Sequence, residues 1–182
     1  MGLLPALDPI LAHIAAATLA VVLLVGAGHK LADRDGFTGA LAQYRLLPEP
    51  LVAPMAWLLP LAELVAGLLL LPVASRPWGA AAAIALLAVV TGAVVVNLLR
   101  GRTHIDCGCG GPEGRQHLSW LLVVRNALLV GLALGAGTVA PARELVWLDA
   151  LTVATGTVGL YLLYAAGNQL LANAPRLSGL RR

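Results

Sequence analysis

Residues 78–99 read WGAAAAIALLAVVTGAVVVNLL, a stretch without a charged side chain. As a helix rising about 1.5 Å per residue, it is long enough to cross a hydrocarbon core of about 30 Å. Comparable apolar runs occupy residues 9–28, 51–71, 118–139 and 145–167. None of them alternates as a strand does, and in lipid only helices and closed barrels satisfy every backbone group. The sequence therefore predicts an all-α fold, a polytopic membrane helical bundle with about five transmembrane helices.

The composition of the whole chain agrees with lipid as its solvent. Of the 182 residues, 59% are hydrophobic and 12% are charged, whereas a soluble domain carries about 25% charged residues. We therefore predict one integral membrane domain over residues 1–182, in contact with the lipid bilayer. The net charge of +3 is spread over loops and the tail, without a basic stripe that would track phosphates. This pattern indicates membrane orientation and excludes nucleic acid as a partner.

A short amphipathic segment lies between the first and second apolar runs. Over residues 35–47, apolar side chains recur at helical spacing, and polar side chains lie opposite them. The apolar set consists of Phe37, Ala40, Leu41, Tyr44 and Leu47. This pattern predicts a short interfacial helix on the membrane surface, directly after the first span.

The loop at residues 100–117 contains both cysteines of the chain, within the sequence IDCGCGG at residues 105–111. Two thiols separated by one glycine can close a small, strained disulfide ring, and strain makes a disulfide easier to reduce. The flanking glycines lower the backbone cost of such a turn. Cys107 and Cys109 are therefore the predicted catalytic residues of a redox site. We expect His104 to tune the thiol pKa downward, with Asp106 beside it in a supporting role.

Two other interpretations of the loop stay open. In the first, the two thiols are inert. In the second, they form a soft-metal site in which two sulfurs and two imidazoles bind Zn(II) or Cu(I). The metal ligands would then be His104, Cys107, Cys109 and His117. The CxC spacing places its sulfurs awkwardly for a tetrahedral ion and differs from the CxxC pairs of zinc sites. The sequence therefore does not favour a metal.

Three polar residues inside the apolar runs complete the candidate site. Glu63 lies in the middle of the second run, where a carboxylate is costly and should face the interior, be protonated or form a pair. Arg125 in the fourth run is the predicted ion-pair partner of Glu63. The pair is either a structural clamp or part of a proton route or binding pocket below the dithiol. Asn97, near the end of the third run, is expected to point toward the cysteine loop.

Several motifs of the chain occur in a characteristic order. They are Gly28-His29-Lys30-Leu31, Phe37…Leu41…Tyr44-Arg45-Leu46-Leu47-Pro48, Pro60-x2-Glu63-x3-Gly67, Asn97-Leu98-Leu99-Arg100-Gly101, Asp106-Cys107-Gly108-Cys109-Gly110 and Arg125-Asn126. This order resembles the MauE family of methylamine utilisation membrane proteins, within the wider MauE/DoxX group. The resemblance covers most of the chain.

The resemblance implies a membrane thiol–disulfide step in the maturation of an exported amine dehydrogenase. The client would be its small subunit, which carries several disulfides, and the partner a thioredoxin-like protein of the MauD type. The layout is also similar to vitamin K epoxide reductase and, more loosely, to DsbB. That likeness implies a quinone cofactor held between the second, third and fourth spans. Those proteins use CxxC and a second cysteine pair, both of which this chain lacks, so a shuttle pair would belong to another protein.

Function and orientation stay open at this level. The protein is either a quinone-linked thiol–disulfide oxidoreductase, a non-enzymatic assembly factor for the same subunit, or a soft-metal (Cu/Zn/Hg) membrane transporter. The resemblance implies a multi-pass protein of the inner membrane whose cysteine loop faces the periplasm. The distribution of basic residues between alternate loops predicts the reverse, with the loop in the cytoplasm.

Overall fold

The computed structural model of the protein describes residues 8–108, 116–138 and 146–179. This part of the chain contains six helices and no β-strand, which confirms the predicted all-α fold class. The helices are α1 (Pro9–Ala32), α2 (Arg34–Gln43), α3 (Glu49–Leu70), α4 (Arg76–Leu99), α5 (Trp120–Ala136) and α6 (Trp147–Gly179).

Four of these helices, α1, α3, α4 and α6, are long and apolar enough to cross a membrane. The protein is therefore a multi-pass membrane protein. Helix α5, in the predicted fourth span, has 17 residues and rises about 26 Å, slightly less than a hydrocarbon core. It begins later than the predicted residue 118 because the preceding residues pair with the cysteine loop, as described below.

The corner between α1 and α2 is made by Asp33. Its backbone N–H donates to the His29 carbonyl at the end of α1, and its carboxylate accepts the N–H of Gly36 in the first turn of α2. Helix α2 is shorter than the predicted 35–47. It stops at Gln43 because Arg45 takes a positive φ of 48° and Pro48 follows, neither of which continues a helix.

Helices α1, α3, α4 and α5 form a closed ring in which each packs on the next, and α6 lies against the outside of α1. The interior is filled largely by small side chains, which let helix backbones approach closely. They include Ala16, Ala20, Ala66, Ala83 and Ala133. One close approach is at Gly79, where an added Cβ would lie 2.7 Å from the Leu70 backbone nitrogen. The ring brings the amphipathic helix α2 onto α3, with the Arg34 guanidinium 4.7 Å from the Trp57 ring centroid.

Candidate functional site

The cysteine loop is closed by a short antiparallel pairing of its two ends. The N–H of Cys107 donates to the Gln116 carbonyl at 2.8 Å, and the N–H of Leu118 donates to the Ile105 carbonyl at 3.1 Å. Asp106 and His117 stand opposite each other in this pairing. The pairing fixes Cys107 between the end of α4 and the start of α5.

Cys107 itself is buried, with 6% of its surface exposed. Its Sγ lies 3.6 Å from Oε1 of Gln116, a side chain that is 2% exposed. Cys107 also belongs to a hydrophobic cluster with Val94 of α4 and Leu122 of α5. Cys109, the other predicted catalytic residue, lies outside the described residues. The structure thus holds Cys107 in a defined orientation toward the bundle.

Helix α2 supports the loop from one side. The Tyr44 hydroxyl donates to the Cys107 carbonyl at 3.2 Å. Gly108 has a φ of +67°, and a Cβ added there would lie 3.2 Å from Cδ2 of Phe37. Asp106 stabilises this turn, since its Oδ1 accepts the N–H of Gly108 at 3.0 Å. Tyr44 and Gln116 were not predicted as site residues, because their types are common and only the fold brings them to Cys107.

The two histidines near the loop face away from the buried cysteine. His104 and His117 are exposed, and Nδ1 of His117 lies 3.2 Å from the His104 carbonyl oxygen. Cys107 points to the interior, as expected when an extended segment alternates its side chains. Within residues 8–108, 116–138 and 146–179, no three His, Cys, Asp or Glu side chains form a group that could hold a metal ion. The proposed ligand set of His104, Cys107, Cys109 and His117 includes Cys109, which is not described.

Glu63 pairs with Lys30 of α1. The Lys30 Nζ lies 2.5 Å from Oε1 and 2.6 Å from Oε2 of Glu63, and the two side chains are 13% and 11% exposed. The sequence predicts Arg125 as the ion-pair partner of Glu63, whereas the ion pair seen here joins Glu63 to Lys30, so the pairing with Arg125 stays a prediction. Helix α1 packs directly on α3, so the ammonium at the end of α1 reaches the carboxylate. Lys30 occurs at the end of an apolar run, a position that by itself suggests only an interfacial residue.

Arg125 serves as a clamp between α5 and α6. Its guanidinium donates to Oδ1 of Asn126 and, at 2.7 Å, to Oδ1 of Asn168. The Asn126 amide in turn donates to the Thr91 hydroxyl of α4 at 2.9 Å. These hydrogen bonds connect α4, α5 and α6 through Arg125 and the amides of Asn126 and Asn168.

Asn97 is fully buried at the end of α4. Its Nδ2 donates to the Ala93 carbonyl at 3.1 Å, so the side chain turns back along its own helix. The backbone carbonyl of Asn97 contacts the segment leading to the loop, by accepting the N–H of Arg102 at 3.0 Å. A supporting role for Asn97 at the cysteines remains a prediction.

A cavity of about 290 Å³ extends beside Cys107. Helices α2, α3 and α4 contribute most of its wall, and Cys107, Lys30 and Glu63 also line it. No residue of α5 lines this cavity, and the quinone pocket predicted between the second, third and fourth spans stays a prediction. Glu63 and Lys30 also line a second cavity of about 60 Å³ on the side of Arg125 and Asn126. The ion pair thus lies between the two cavities.

Fold and site together define a multi-pass helical membrane protein whose cysteine loop rests on an interfacial helix beside an apolar cavity. The chain matches the family model for methylamine utilisation protein MauE over residues 8–139. It therefore belongs to the MauE family.

Several curated relatives are similar over most of this chain, and each is named methylamine utilization protein MauE. The protein from Methylophilus methylotrophus is 38% identical over 90% of this chain and 87% of its own length. The protein from Methylorubrum extorquens is 39% identical over 96% of this chain and 90% of its own length. The protein from Paracoccus denitrificans is 41% identical over 68% of this chain and 67% of its own length. No solved structure matches the chain.

Proposed function

We propose that the protein is a membrane thiol–disulfide exchange protein of the methylamine utilisation system. It assists disulfide formation in the small subunit of an exported amine dehydrogenase and acts through a thioredoxin-like partner of the MauD type. The observation that carries the proposal is the placement of Cys107. The backbone of Cys107 is held at both its N–H and its carbonyl, which gives one thiol of the pair a fixed position at the wall of an apolar cavity and supports an exchange site here.

The burial of Cys107 supports different roles for the two cysteines. A protein partner cannot reach a sulfur that is 6% exposed without opening the loop, so the partner meets Cys109. A partner thiolate attacks the Cys109 sulfur of the Cys107–Cys109 disulfide, and Cys107 leaves as a thiolate. The second partner thiol then attacks the mixed disulfide. The partner departs as a disulfide, ready to oxidise the client, and the membrane protein is left as a dithiol.

The proposal also sets the orientation of the protein. An exported client and a thioredoxin-like partner require the loop at the outer face of the inner membrane. The amino terminus then lies inside, against the distribution of basic residues. Arg102 and Arg115 flank the cysteines in sequence and are counted in that distribution. Their placement is explained if these two cations stabilise the thiolates of the cysteines and do not determine the membrane topology.

The experiment is to trap the mixed disulfide. Membranes containing the Cys107→Ser variant, the Cys109→Ser variant or the double variant are alkylated, and the thioredoxin-like partner is detected on non-reducing gels. In Cys107→Ser the Cys109 thiolate attacks the disulfide of the oxidised partner, one partner sulfur leaves as a thiolate, and Cys107 is absent and cannot displace the partner. We therefore expect this variant to accumulate a reducible complex, Cys109→Ser to give less, and the double variant to give none. The absence of a complex from both single variants contradicts the proposal. If client maturation also persists in the double variant, the protein acts as a non-enzymatic assembly factor.

A further inference from the structure

The cavity beside Cys107 combines an apolar wall with one charged pair. Its volume of about 290 Å³ is near the lower end of small-molecule pockets, which measure about 300–1,000 Å³. The wall consists of aliphatic and aromatic side chains such as Phe37 of α2, Leu59 of α3 and Val90 of α4. A cavity of this size and lining fits an apolar, ring-sized body that partitions into lipid.

Lys30 and Glu63 are the charged residues among those that line the cavity. Ionisable groups in a membrane-spanning region are costly, and apolar replacements of buried ion pairs are often neutral or stabilising. Packing alone therefore does not explain the pair. An ammonium group has three N–H donors, and the Glu63 oxygens accept two of them. The Lys30 ammonium has a further donor for an acceptor oxygen of a ligand.

We propose that this cavity binds a quinone, that Lys30 donates a hydrogen bond to one ring oxygen, and that Glu63 positions Lys30. This inference rests on the proposed function and names the electron acceptor for the same cysteines. Three observations select the ligand class. The wall fits an apolar body, the ammonium offers a hydrogen bond to an acceptor oxygen, and the exchange proposed at Cys107 needs a compound that accepts electrons from a dithiol.

The reaction balances without another reactant. Two S–H bonds of Cys107 and Cys109 break, and one S–S bond forms. The two electrons and two protons that the dithiol loses reduce the quinone to a hydroquinone. The disulfide is thereby restored for the next partner molecule. The protein as a whole transfers one electron pair from an exported dithiol to a lipid-soluble carrier.

Gly92 offers a direct test of the cavity. It lines the cavity, and an added Cβ would meet nothing within 4 Å. Gly92→Leu should therefore fill the cavity without disturbing the helix. Gly131 of α5 is the matched control, since it also has open space at its Cβ and lines neither cavity. Any general effect of leucine on a lipid-facing helix is common to both variants.

The probe is decylubiquinone, whose fully substituted ring does not add thiols, and its binding to the purified full-length protein in detergent is measured by equilibrium dialysis. Decylbenzene, which lacks ring oxygens, is the comparison ligand. We expect Gly92→Leu to weaken decylubiquinone binding at least tenfold and Gly131→Leu to leave it unchanged. Equal binding by Gly92→Leu and Gly131→Leu would exclude the cavity as the site.

The role of Lys30 is tested with Lys30→Met. We expect decylubiquinone to bind about tenfold more weakly, and decylbenzene to bind as it does to the wild type. The double variant Lys30→Met/Glu63→Gln carries no uncompensated charge, so it serves as the test if Lys30→Met fails to fold. It should show the same loss of affinity for decylubiquinone relative to decylbenzene. Wild-type affinity for decylubiquinone in the double variant contradicts the assignment of Lys30.

The two proposals fail separately. Binding is measured also in the Cys107→Ser/Cys109→Ser variant, which should retain the site. Quinone binding without any mixed disulfide in the trapping experiment keeps the site and rejects the exchange function. A trapped mixed disulfide without quinone binding keeps the exchange function and rejects this inference.

Discussion

The Tyr44 hydroxyl donates a hydrogen bond to the backbone carbonyl of Cys107, across 3.2 Å. Tyr44 is the C-cap residue that directly follows α2, so the contact joins the interfacial helix to the cysteine loop. Both groups are buried, and a buried carbonyl that loses its donor costs about 1–3 kcal/mol. The reactivity of Cys107 should therefore depend on α2, although the two segments are distant in sequence.

Removing the Tyr44 hydroxyl should loosen the loop without unfolding the bundle. In a Cys109→Ser background, where Cys107 is the single cysteine, we expect Tyr44→Phe to raise the rate of alkylation of Cys107 about fivefold. That factor corresponds to a net loss of about 1 kcal/mol. Maleimide labelling kinetics provide the measurement, and Tyr161→Phe in α6 is the control. A rate unchanged by Tyr44→Phe would show that the hydrogen bond does not restrain the loop.

Gly108 should tolerate alanine less well than Gly101 does. Both glycines have a positive φ, at +67° and +72°, but a Cβ at Gly101 meets nothing within 4 Å, whereas one at Gly108 presses on Phe37. Each alanine costs about 1–2 kcal/mol of backbone strain. We expect a larger drop in the unfolding temperature for Gly108→Ala, and Phe37→Leu should reduce the difference. Equal drops for the two alanine variants would refute the contact with Phe37.

The Lys30–Glu63 pair should behave as a coupled unit. Lys30→Met and Glu63→Gln each leave one buried polar group without its charged partner, and each should lower the free energy of unfolding by about 3 kcal/mol. The loss of unfolding free energy in the double variant should be clearly smaller than the sum of the losses in the two single variants. Glu49→Gln, an exposed change at the start of α3, is the control. Strict additivity in this double-mutant cycle would contradict the pairing.

The Arg125 clamp should require a guanidinium. Lysine at this position cannot reproduce the bonds to Asn126 and Asn168 together, because it lacks the planar fork. We expect Arg125→Lys to lower the free energy of unfolding by about 1–2 kcal/mol. Asn168→Asp keeps the acceptor oxygen and adds a complementary charge, so it should retain wild-type stability. Thermal unfolding in detergent measures both, and a fully stable Arg125→Lys variant would disprove the clamp.

The helical membrane fold could be predicted from apolar run length, because in lipid that property alone selects a spanning helix. The start of α5 could not be predicted from the same property. The residues before Trp120 are apolar enough to extend the helix, yet Gln116 and Leu118 pair with Cys107 and Ile105. Apolar content does not reveal such a competing backbone partner.

Within the candidate site, the sequence indicated which residue types matter but not which of them lie beside one another in the fold. Glu63 had to be neutralised, and Arg125 was the cation inside an apolar run. Which helix lies beside Glu63 depends on the order of helices around the ring, and α1 brings Lys30 there. The catalytic roles of Cys107 and Cys109 stay predictions, since they concern reactivity instead of position.

The central claim is a redox-active Cys107–Cys109 disulfide at the outer face of the membrane. The most direct measurement treats intact cells with a membrane-impermeant thiol reagent, before and after reduction, and counts the labels on the protein. We expect no label before reduction and labelling from outside after it, with the Cys107→Ser/Cys109→Ser variant unlabelled in both cases. Free thiols that become labelled only after lysis, without a reductant, would contradict it and indicate a cytoplasmic dithiol.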